Sequence, residues 1–302
     1  MAGPILTAGD LAVRLEQGTV AVLDATVNLG RPAHDGDHTS SSGRPGWEQA
    51  HIPGSHHVDL LHDLTDPAAL YHFARPSPEA LTAHLANLGI HDGTSVVTYD
   101  RSGGIWASRL WWLLDWIGIE AAVLDGGFAA WEAAGLPVSV LTPDSVTEIP
   151  APALAACGQP ASVDNVRAGR WVERADLERW LRDEAEATVL CALNPEAYAG
   201  EVPTRYARRG HIPGTGNLPA RSLLAPDGRF RPLDDLRADL AGLLADPAPI
   251  WVYCGGGISA ATLGLALTAL GRDDVALYDG SLEEWSADGS LPIERGRADA
   301  GR

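Results

Sequence analysis

The sequence repeats itself, because short motifs recur in the same order and at nearly constant spacing. His-Ile-Pro-Gly occupies residues 51–54 and again 211–214, an offset of 160 residues (211 − 51). Val-Thr-Tyr-Asp at 97–100 corresponds to Trp-Val-Tyr-Cys at 251–254, with an offset of 154 (254 − 100). Such a repeat in a chain of 302 residues indicates two tandem copies of one domain.

A third motif starts at Asp125 and again at Asp279, also 154 residues apart (279 − 125), and it closes the same series of elements in each half. In both halves short apolar strands alternate with helical patterns, and a glycine-containing turn precedes a long apolar helix. Alternation of this kind is typical of a parallel sheet that is covered on both faces. The sequence therefore predicts an α/β protein with two domains, at residues 1–145 and 146–302. Each is expected to be a mostly parallel five-stranded sheet with helices on both faces.

The predicted elements of the two halves correspond one to one. The join is expected near 141–160, which is rich in Pro and Ala and has no clear periodicity. The first half is predicted to have helices at 8–16, 78–88 and 105–117 and strands at 20–23, 95–99 and 122–124. The second half is predicted to have helices at 174–181, 233–244 and 258–270 and strands at 188–190, 250–253 and 275–278.

Charge and composition narrow the classes of function. The 40 acidic and 22 basic residues give a net charge of −18, so nucleic acid is not expected as a partner. No uninterrupted run of about 18 apolar residues is present, which argues against a membrane span. The first residues lack the basic and apolar regions of a signal peptide. Three well-separated cysteines form neither a zinc motif nor a disulfide framework, so a reducing cytoplasm is expected.

The thiol of Cys254 is the strongest candidate for a reactive group. It follows the strand at 250–253 and precedes the helix at 258–270, which places it at the carboxyl end of the sheet, where α/β proteins bind ligands. The three glycines after it let the backbone curl so that several N–H groups point inward and can bind an anion. Such groups favour a thiolate, the nucleophilic form of cysteine. The loop residues expected to contact the substrate are Gly255, Gly256, Gly257, Ile258 and Ser259.

In the first half, Asp100 stands where the second half has Cys254. Its loop keeps two glycines but has no thiol. Since a carboxylate cannot perform thiol chemistry, the first half is expected to be catalytically silent and to form one wall of a cleft.

Three further side-chain groups are weaker candidates. Arg205, Arg208 and Arg209 form a basic cluster that either binds a small anion or is a solvated loop. Cys191 ends a predicted strand and is interpreted as structural. Cys157 falls in the linker region, where we assign it no role.

Together these motifs resemble those of tandem rhodanese proteins. The similarity rests on Ala-His-Ile-Pro-Gly-Ser at 50–55, Gly-His-Ile-Pro-Gly-Thr at 210–215, the Tyr-Cys-Gly-x-Gly loop that starts at Tyr253, and the two motifs that run from Asp-Gly to Trp. It extends over most of the chain, from about residue 8 to residue 292. The resemblance implies thiosulfate or 3-mercaptopyruvate sulfurtransferase activity and an inactive first domain.

The resemblance also implies a mechanism and partners. In this family the catalytic cysteine, here Cys254, takes the outer sulfur of a small anionic donor as a persulfide. It then passes that sulfur to cyanide, a thiol or a thioredoxin-like acceptor, without a metal or organic cofactor. Asp59 and His72 fall where the mercaptopyruvate enzymes have two members of a proposed Ser-His-Asp relay, and an acid–base pair there could help to protonate the leaving enolate. Arg205 and Arg209 are expected to hold the donor anion, and a monomer is expected because each half already has a partner fold.

Three positions depart from the family pattern. The loop after Cys254 is closer to the Cys-Gly-Ser-Gly-Val-Thr of mercaptopyruvate enzymes than to the basic Cys-Arg-Lys-Gly-Val-Thr loop associated with thiosulfate. However, the relay serine is replaced by Gly256, and Ser259 stands where the family has threonine. The arginine that would bind the donor's anionic group is replaced by Ala197, and losing one charged hydrogen bond costs on the order of 1.5–3 kcal/mol. Thiosulfate and 3-mercaptopyruvate are therefore ranked nearly level as donors.

Two other functions remain open at this point. Cysteine phosphatases of the dual-specificity cell-cycle type have a related fold, but they need an arginine six positions after the cysteine to grip phosphate. That position is Ala260, and the next arginine is Arg272, which argues against a phosphatase. A non-catalytic sulfur-relay or binding module is the alternative, because Ala197 and Gly256 could mark an enzyme that no longer uses the standard donors.

Overall fold

The computed structural model describes residues 3–141 and 161–297, and it confirms an α/β protein built from two domains of the same topology. The predicted boundary between residues 145 and 146 lies outside the described residues. The same holds for Cys157 and for all but the first residue of the predicted linker. The two domains are accordingly recognised by their separate sheets.

The first domain contains β1 (Ile5–Leu6), α1 (Ala8–Glu16), β2 (Ala21–Asp24), β3 (Val27–Leu29), β4 (Ser40–Ser42), α2 (Arg44–Gln49), β5 (His56–His57), α3 (Pro78–Asn87), β6 (Val96–Tyr99), α4 (Ile105–Trp116), β7 (Ala121–Leu124) and α5 (Gly127–Ala133). Its parallel sheet has the order β1-β7-β6-β2-β5. The strands β3 and β4 pair with each other as an antiparallel hairpin outside that sheet.

The second domain contains β8 (Trp171–Val172), α6 (Arg174–Leu181), β9 (Thr188–Cys191), α7 (Pro195–Tyr198), β10 (Gly216–Asn217), α8 (Leu233–Asp239), α9 (Ala241–Ala245), β11 (Ile250–Tyr253), α10 (Ile258–Ala269), β12 (Val275–Tyr278) and α11 (Ser281–Ala287). Its parallel sheet has the order β8-β12-β11-β9-β10. Strand for strand this is the order of the first sheet, so the sequence repeat is a repeat of topology.

The structure differs from the predicted elements where packing is weak or an element is very short. The helix predicted at 233–244 is divided at Leu240 into α8 and α9. Only Leu236 is buried in α8 and no residue is buried in α9, so little packing holds one long helix together. The edge strands β1, β5, β8 and β10 have two residues each, which is too short for a recognisable alternation in the sequence.

The two domains share one core through α4 and α10. Nearly every residue of both helices is buried, as expected for helices that are apolar on all sides. The two helices pack directly against each other, and a Cβ on Gly264 would lie 2.5 Å from the ring of Trp112. At 12 residues each they are the longest helices described, and no helix within 3–141 or 161–297 has the length and apolar character needed to cross a membrane.

Polar contacts across the same interface repeat with the domains. The carboxylate of Asp125, in the first domain, accepts a hydrogen bond from the backbone N–H of Phe230 in the second domain at 2.7 Å. The carboxylate of Asp279, in the second domain, accepts one from the backbone N–H of Arg75 in the first domain, also at 2.7 Å. These are the aspartates of the repeated Asp-Gly motif, so that motif holds the neighbouring domain in place. Asp279 also forms a buried ion pair with Arg109 at 2.6 Å, with each side chain 1% exposed.

Candidate active site

A cavity of about 390 Å³ lies between the domains, beside the loops that follow β6 and β11. Cys254 contributes to its lining, and the first domain contributes Val27, Leu29 and the residues around Trp106. The first domain therefore forms one wall of the cleft, as the sequence predicts. Of the loop residues expected to contact a substrate, Gly255, Gly256, Ile258 and Ser259 line the cavity, whereas Gly257 does not.

The loop after β11 is fixed by its own backbone and by α11. Gly257 has φ +75°, the left-handed conformation that glycine adopts at low cost, and α10 begins at the next residue. The hydroxyl of Ser281 accepts the backbone N–H groups of both Cys254 and Gly257 at 3.1 Å. The Glu283 backbone N–H donates to the carbonyl of Gly255 at 2.8 Å. Cys254, only 2% exposed, is thus held on a rigid turn at the start of a helix.

The corresponding loop of the first domain shows what such a turn binds. The carboxylate of Asp100 is completely buried and accepts four backbone N–H groups, from Ser102, Gly104, Trp106 and Ala107, at 2.7–2.9 Å. Burial raises the pKa of this carboxyl, and the four donors oppose that rise. A loop and a helix N-terminus with this geometry form a binding site for an anion.

The second domain has a loop of similar geometry at Cys254. Three residues separate Cys254 from α10, whereas four separate Asp100 from α4, so the cysteine loop is one residue shorter. The carboxylate of Asp100 accepts hydrogen bonds from the backbone N–H groups of the second and third residues of α4. The second and third residues of α10 are Ser259 and Ala260. Both domains therefore direct the start of the long apolar helix towards this position.

Arginines supply the positive charge of the cavity. Arg31, Arg205 and Arg221 all contribute to its lining. Arg205 donates one hydrogen bond to the carbonyl of Gly30, but its buried Nε has no partner among the described residues. Burial lowers the pKa of this guanidinium, which nevertheless stays charged at neutral pH. The positive charge of Arg205 therefore faces the cavity and can attract an anion there.

Arg209 does not contribute to the cavity, contrary to the expectation from the sequence. Its Nε donates to both carboxylate oxygens of Asp35 at 2.7 and 2.9 Å, and this arginine holds the pKa of Asp35 below its usual value. The third arginine of the cluster, Arg208, donates to carbonyls of 285–291 and is structural. Only Arg205 of the predicted basic cluster reaches the site, because the Asp35 loop of the first domain attracts Arg209.

Ala197, the apolar residue that replaces an arginine of the family pattern, contributes to the lining of the cavity. Ala197 lies on α7, and Leu193 between β9 and α7 contributes to the same lining. These side chains cannot bind an anion. The positive charge comes instead from Arg31 in the loop between β3 and β4 and from Arg221 after β10.

Asp59 and His72 do not form a pair. The carboxylate of Asp59 accepts the backbone N–H of Leu61 at 2.7 Å and lies 3.1 Å from Nδ1 of His62, and Asp59 is not part of the cavity lining. His72 instead bonds Oε1 of Glu283 through Nδ1. The acid–base pair expected from the sequence is therefore absent, and His72 is linked to a different carboxylate.

Glu283 belongs to a small cluster at the edge of the cavity. The ring of His72 stacks on that of His38 with centroids 3.7 Å apart. The ligand atoms of His38, His72 and Glu283 all lie within 4.8 Å of one another, so these residues could also hold a metal ion. It is the one such group found within 3–141 and 161–297.

Cys191 lies on the other face of the second sheet from Cys254. It packs with Tyr198 and Tyr253 in one apolar cluster, whereas Cys254 packs with Ala260 in another. Burial raises the pKa of the Cys191 thiol to about 12, which keeps it protonated and unreactive. The structural interpretation of Cys191 is consistent with this position.

Sequence reasoning missed Arg31, His38, Arg221 and Glu283, which all line the cavity. Arg31 and His38 come from the loop between β3 and β4, more than 200 residues from Cys254 in the chain. The only signal for Glu283 was its place inside the repeated Asp-Gly motif, where the first half has Ala129 (283 − 154 = 129).

Comparisons with known proteins agree with the duplicated architecture. The Rhodanese-like domain family matches residues 7–134 and 182–288, one match in each domain. These two segments cover most of the described chain and include both loops discussed above. Two copies of the same family domain thus account for the two sheets.

Relatives and a solved structure match over nearly the full length. The chain is 33% identical to the "Probable 3-mercaptopyruvate sulfurtransferase" of Pseudomonas aeruginosa, over 97% of this chain and 98% of that protein. It is 30% identical to "Thiosulfate/3-mercaptopyruvate sulfurtransferase 1, mitochondrial" of Arabidopsis thaliana, over 82% of this chain and 68% of that protein. The structure of the 3-mercaptopyruvate sulfurtransferase SseA from Escherichia coli matches with a TM-score of 0.72 and 26% identity, covering 92% of this chain and 98% of that chain. The chain therefore belongs to the rhodanese family, with two rhodanese-like domains, and is a sulfurtransferase.

Proposed function

We propose that Cys254 carries sulfane sulfur as a persulfide, taking it from thiosulfate or 3-mercaptopyruvate and passing it to a thiophilic acceptor. The observation that carries this proposal is the correspondence of the two loops. Where the first domain buries a carboxylate among four N–H donors, the second places a thiol at the start of the same helix. A thiolate or a persulfide is an anion of the kind that such donors stabilise.

The transfer would take place in two displacements. With thiosulfate, the Cys254 thiolate attacks the outer sulfur, a new S–S bond forms, and sulfite leaves with the electron pair of the old S–S bond. The terminal sulfur of the persulfide is then attacked by the thiolate of an acceptor, and the cysteine thiolate is the leaving group. Neither step changes the net oxidation state, so no cofactor is required.

The arginines of the cavity would hold the donor. Arg205 has an unpartnered buried Nε, and Arg31 and Arg221 flank the same space. Three positive charges within one partly buried cavity attract small dianions such as thiosulfate. Because Ala197 removes one expected contact, these arginines take over anion binding, which leaves thiosulfate and 3-mercaptopyruvate nearly level as donors.

We further propose a division of labour between the domains. The first domain, residues 1–145, is inactive because Asp100 fills its anion site, and the second, residues 146–302, is catalytic. A thiol or thioredoxin-like protein, or cyanide, is the acceptor. The protein acts as a monomer in the cytoplasm, where Cys254 stays reduced.

Intact-mass measurement after incubation with each donor tests this proposal. Wild-type protein should gain one sulfur atom, and Cys254→Ser should gain none while keeping its fold, because serine is nearly isosteric with cysteine. Cys191→Ser is the matched control, since its thiol is buried on the other face of the sheet, and it should load like wild type.

The alternative, a relay module that is loaded only by a partner protein, predicts a different outcome. Folded wild-type protein with a free Cys254 thiol would then gain no sulfur from either donor. It would gain one from a persulfide carried by another protein. Sulfur gain on Cys254→Ser would contradict both forms of the proposal.

A further inference from the structure

The cavity contains one carboxylate among its described lining residues, that of Glu283. The rest of its charge comes from arginines, which makes an acidic group at this place costly for binding an anionic donor. The Glu283 side chain is 17% exposed and lies in the first turn of α11. Because the Glu283 carboxylate would repel an anionic donor, its presence in the cavity suggests a role in the chemistry rather than in binding.

The position of Glu283 is set by the glycine loop. A Cβ added to Gly256 would lie 3.4 Å from Oε2 of Glu283, so the carboxylate occupies the space beside the loop where a side chain at 256 would project. Gly256 has no left-handed φ angle that would demand glycine. The carboxylate therefore lies directly beside the loop, within van der Waals distance of a Cβ at position 256.

His72 holds the other carboxylate oxygen. Its Nδ1 bonds Oε1 of Glu283, which leaves Oε2 directed towards the loop. The His72 ring is in turn stacked on His38, and both are contributed by the first domain. Glu283, which lies on the second domain, is therefore oriented across the cleft by His72 of the first domain.

The sequence repeat provides an internal comparison. In the first domain the residue that corresponds to Glu283 is Ala129, and that domain has no cysteine in its loop. The acid is thus present only in the half that has the thiol.

From this geometry we propose that Glu283 is a catalytic residue that transfers a proton during sulfur abstraction from 3-mercaptopyruvate, with His72 as its positioning residue. This inference rests on the proposed function of Cys254. It assigns to Glu283 the proton transfer that the sequence had led us to expect from Asp59 and His72.

The step balances without another reactant. The Cys254 thiolate attacks the sulfur of 3-mercaptopyruvate, the new S–S bond forms, and the C–S bond breaks with its electron pair going to C3. The Glu283 carboxylate accepts the proton of the donor thiol and returns it to C3. The products are pyruvate and the deprotonated persulfide, and Glu283 ends as it began. Thiosulfate needs no such step, because sulfite leaves without a proton.

The two donors therefore test the proposal within one protein. Glu283→Gln should lower kcat for 3-mercaptopyruvate by about 100-fold, the contribution typical of a general acid–base group. The rate of persulfide formation from thiosulfate should not fall, since removing a negative charge favours a dianion. Glu284→Gln is the matched control, because Glu284 bonds Tyr278 and is not part of the cavity lining. His72→Gln should show the same donor selectivity with a smaller loss in kcat and no change in KM.

A second variant keeps the test valid if Glu283→Gln is poorly folded. Glu283→Asp keeps the carboxylate and should retain more of the kcat for 3-mercaptopyruvate than Glu283→Ala, which removes it; equal kcat values for these two variants would contradict the proton-transfer role. Wild-type activity should also resist EDTA. Loss of activity with EDTA would identify the cluster as a metal site and overturn the proton-transfer role.

The outcomes separate the two proposals. If wild type and Glu283→Gln load Cys254 and consume 3-mercaptopyruvate at rates within about threefold of each other, far below the expected effect, Glu283 is not catalytic although the persulfide function stands. If wild type gains sulfur from neither donor, the proposed function fails and this inference fails with it. Equal losses with both donors would assign Glu283 a structural role only.

Discussion

The ion pair between Arg109 and Asp279 gives a sharp test of how the two domains are held together. Arg109 lies on α4 of the first domain, Asp279 follows β12 of the second, and each side chain is 1% exposed. We consider the substitution Arg109→Met, which keeps much of the length of the side chain and removes its charge. It leaves Asp279 with the backbone N–H of Arg75 and the hydroxyl of Tyr71 as its remaining donors.

The expected loss follows from the burial of the pair. Removing one partner of a buried ion pair costs about 3–5 kcal/mol when the other charge is left unpaired. Here Nη1 of Arg75 lies 3.9 Å from the Asp279 carboxylate and still compensates part of its charge, so we expect a loss near the lower end of that range. Arg109 also donates to the carbonyl of Phe73 at 2.7 Å, and that bond is lost as well. Replacing Asp279 by Leu in the same chain should recover only part of the loss, because the N–H of Arg75 would then have no acceptor.

Urea unfolding followed by circular dichroism measures this free energy. Arg44→Met is the matched control, since Arg44 and Glu48 form an exposed pair whose loss should cost less than about 1 kcal/mol. If Arg109→Met lowers the free energy of unfolding by no more than Arg44→Met does, the buried pair does not hold the domains together, and the reasoning is refuted.

Two further predictions concern packing and pH. Gly264→Ala should destabilise the protein by about 1–3 kcal/mol, because the added Cβ would overlap the ring of Trp112. This loss is expected even though alanine favours a helix over glycine by about 1 kcal/mol. A rise in the melting temperature of the variant would contradict the close approach of the two helices. Burial lowers the pKa of His211, so the folded state resists its protonation. The stability contributed by neutral His211 is complete above its unfolded pKa of about 6.5 and is lost as pH falls towards the folded pKa. The free energy of unfolding of His211→Asn should therefore fall less steeply than that of wild type below about pH 6.5. If urea midpoints show the same pH dependence for both proteins, His211 does not cause this loss of stability.

The sequence was sufficient for the features that repeat. The recurrence of His-Ile-Pro-Gly and Asp-Gly at nearly constant spacing predicted two α/β domains, and the apolar segments predicted α4, α10 and the central strands closely. These elements are largely buried, so their sequences are mostly apolar, and glycine immediately precedes both α4 and α10. The glycine loop marked Cys254 as the candidate reactive cysteine for the same local reason.

The rest depended on contacts between distant parts of the chain. The second strand of the β3–β4 hairpin is serine-rich and does not alternate apolar and polar residues. The local sequence therefore gave no sign that the loop of this hairpin brings Arg31 and His38 to the cavity. Arg205 and Arg209 are four residues apart and looked equivalent. They differ because Asp35, more than 160 residues earlier, binds only Arg209. Contacts between residues so far apart in the chain produce no periodic pattern in the sequence, so they could not be predicted from it.

The paired aspartate contacts also bear on how such a chain can arise. Asp125 reaches into the second domain, and Asp279 reaches into the first in the same manner. An interface in which the same surface contacts its own counterpart is isologous, which is the arrangement of a two-fold symmetric homodimer. Gene fusion of a self-associating single-domain ancestor produces this arrangement directly. In a fused pair the covalent link keeps both copies together, so one copy can serve as a scaffold for the other even where its loop has an aspartate in place of the cysteine.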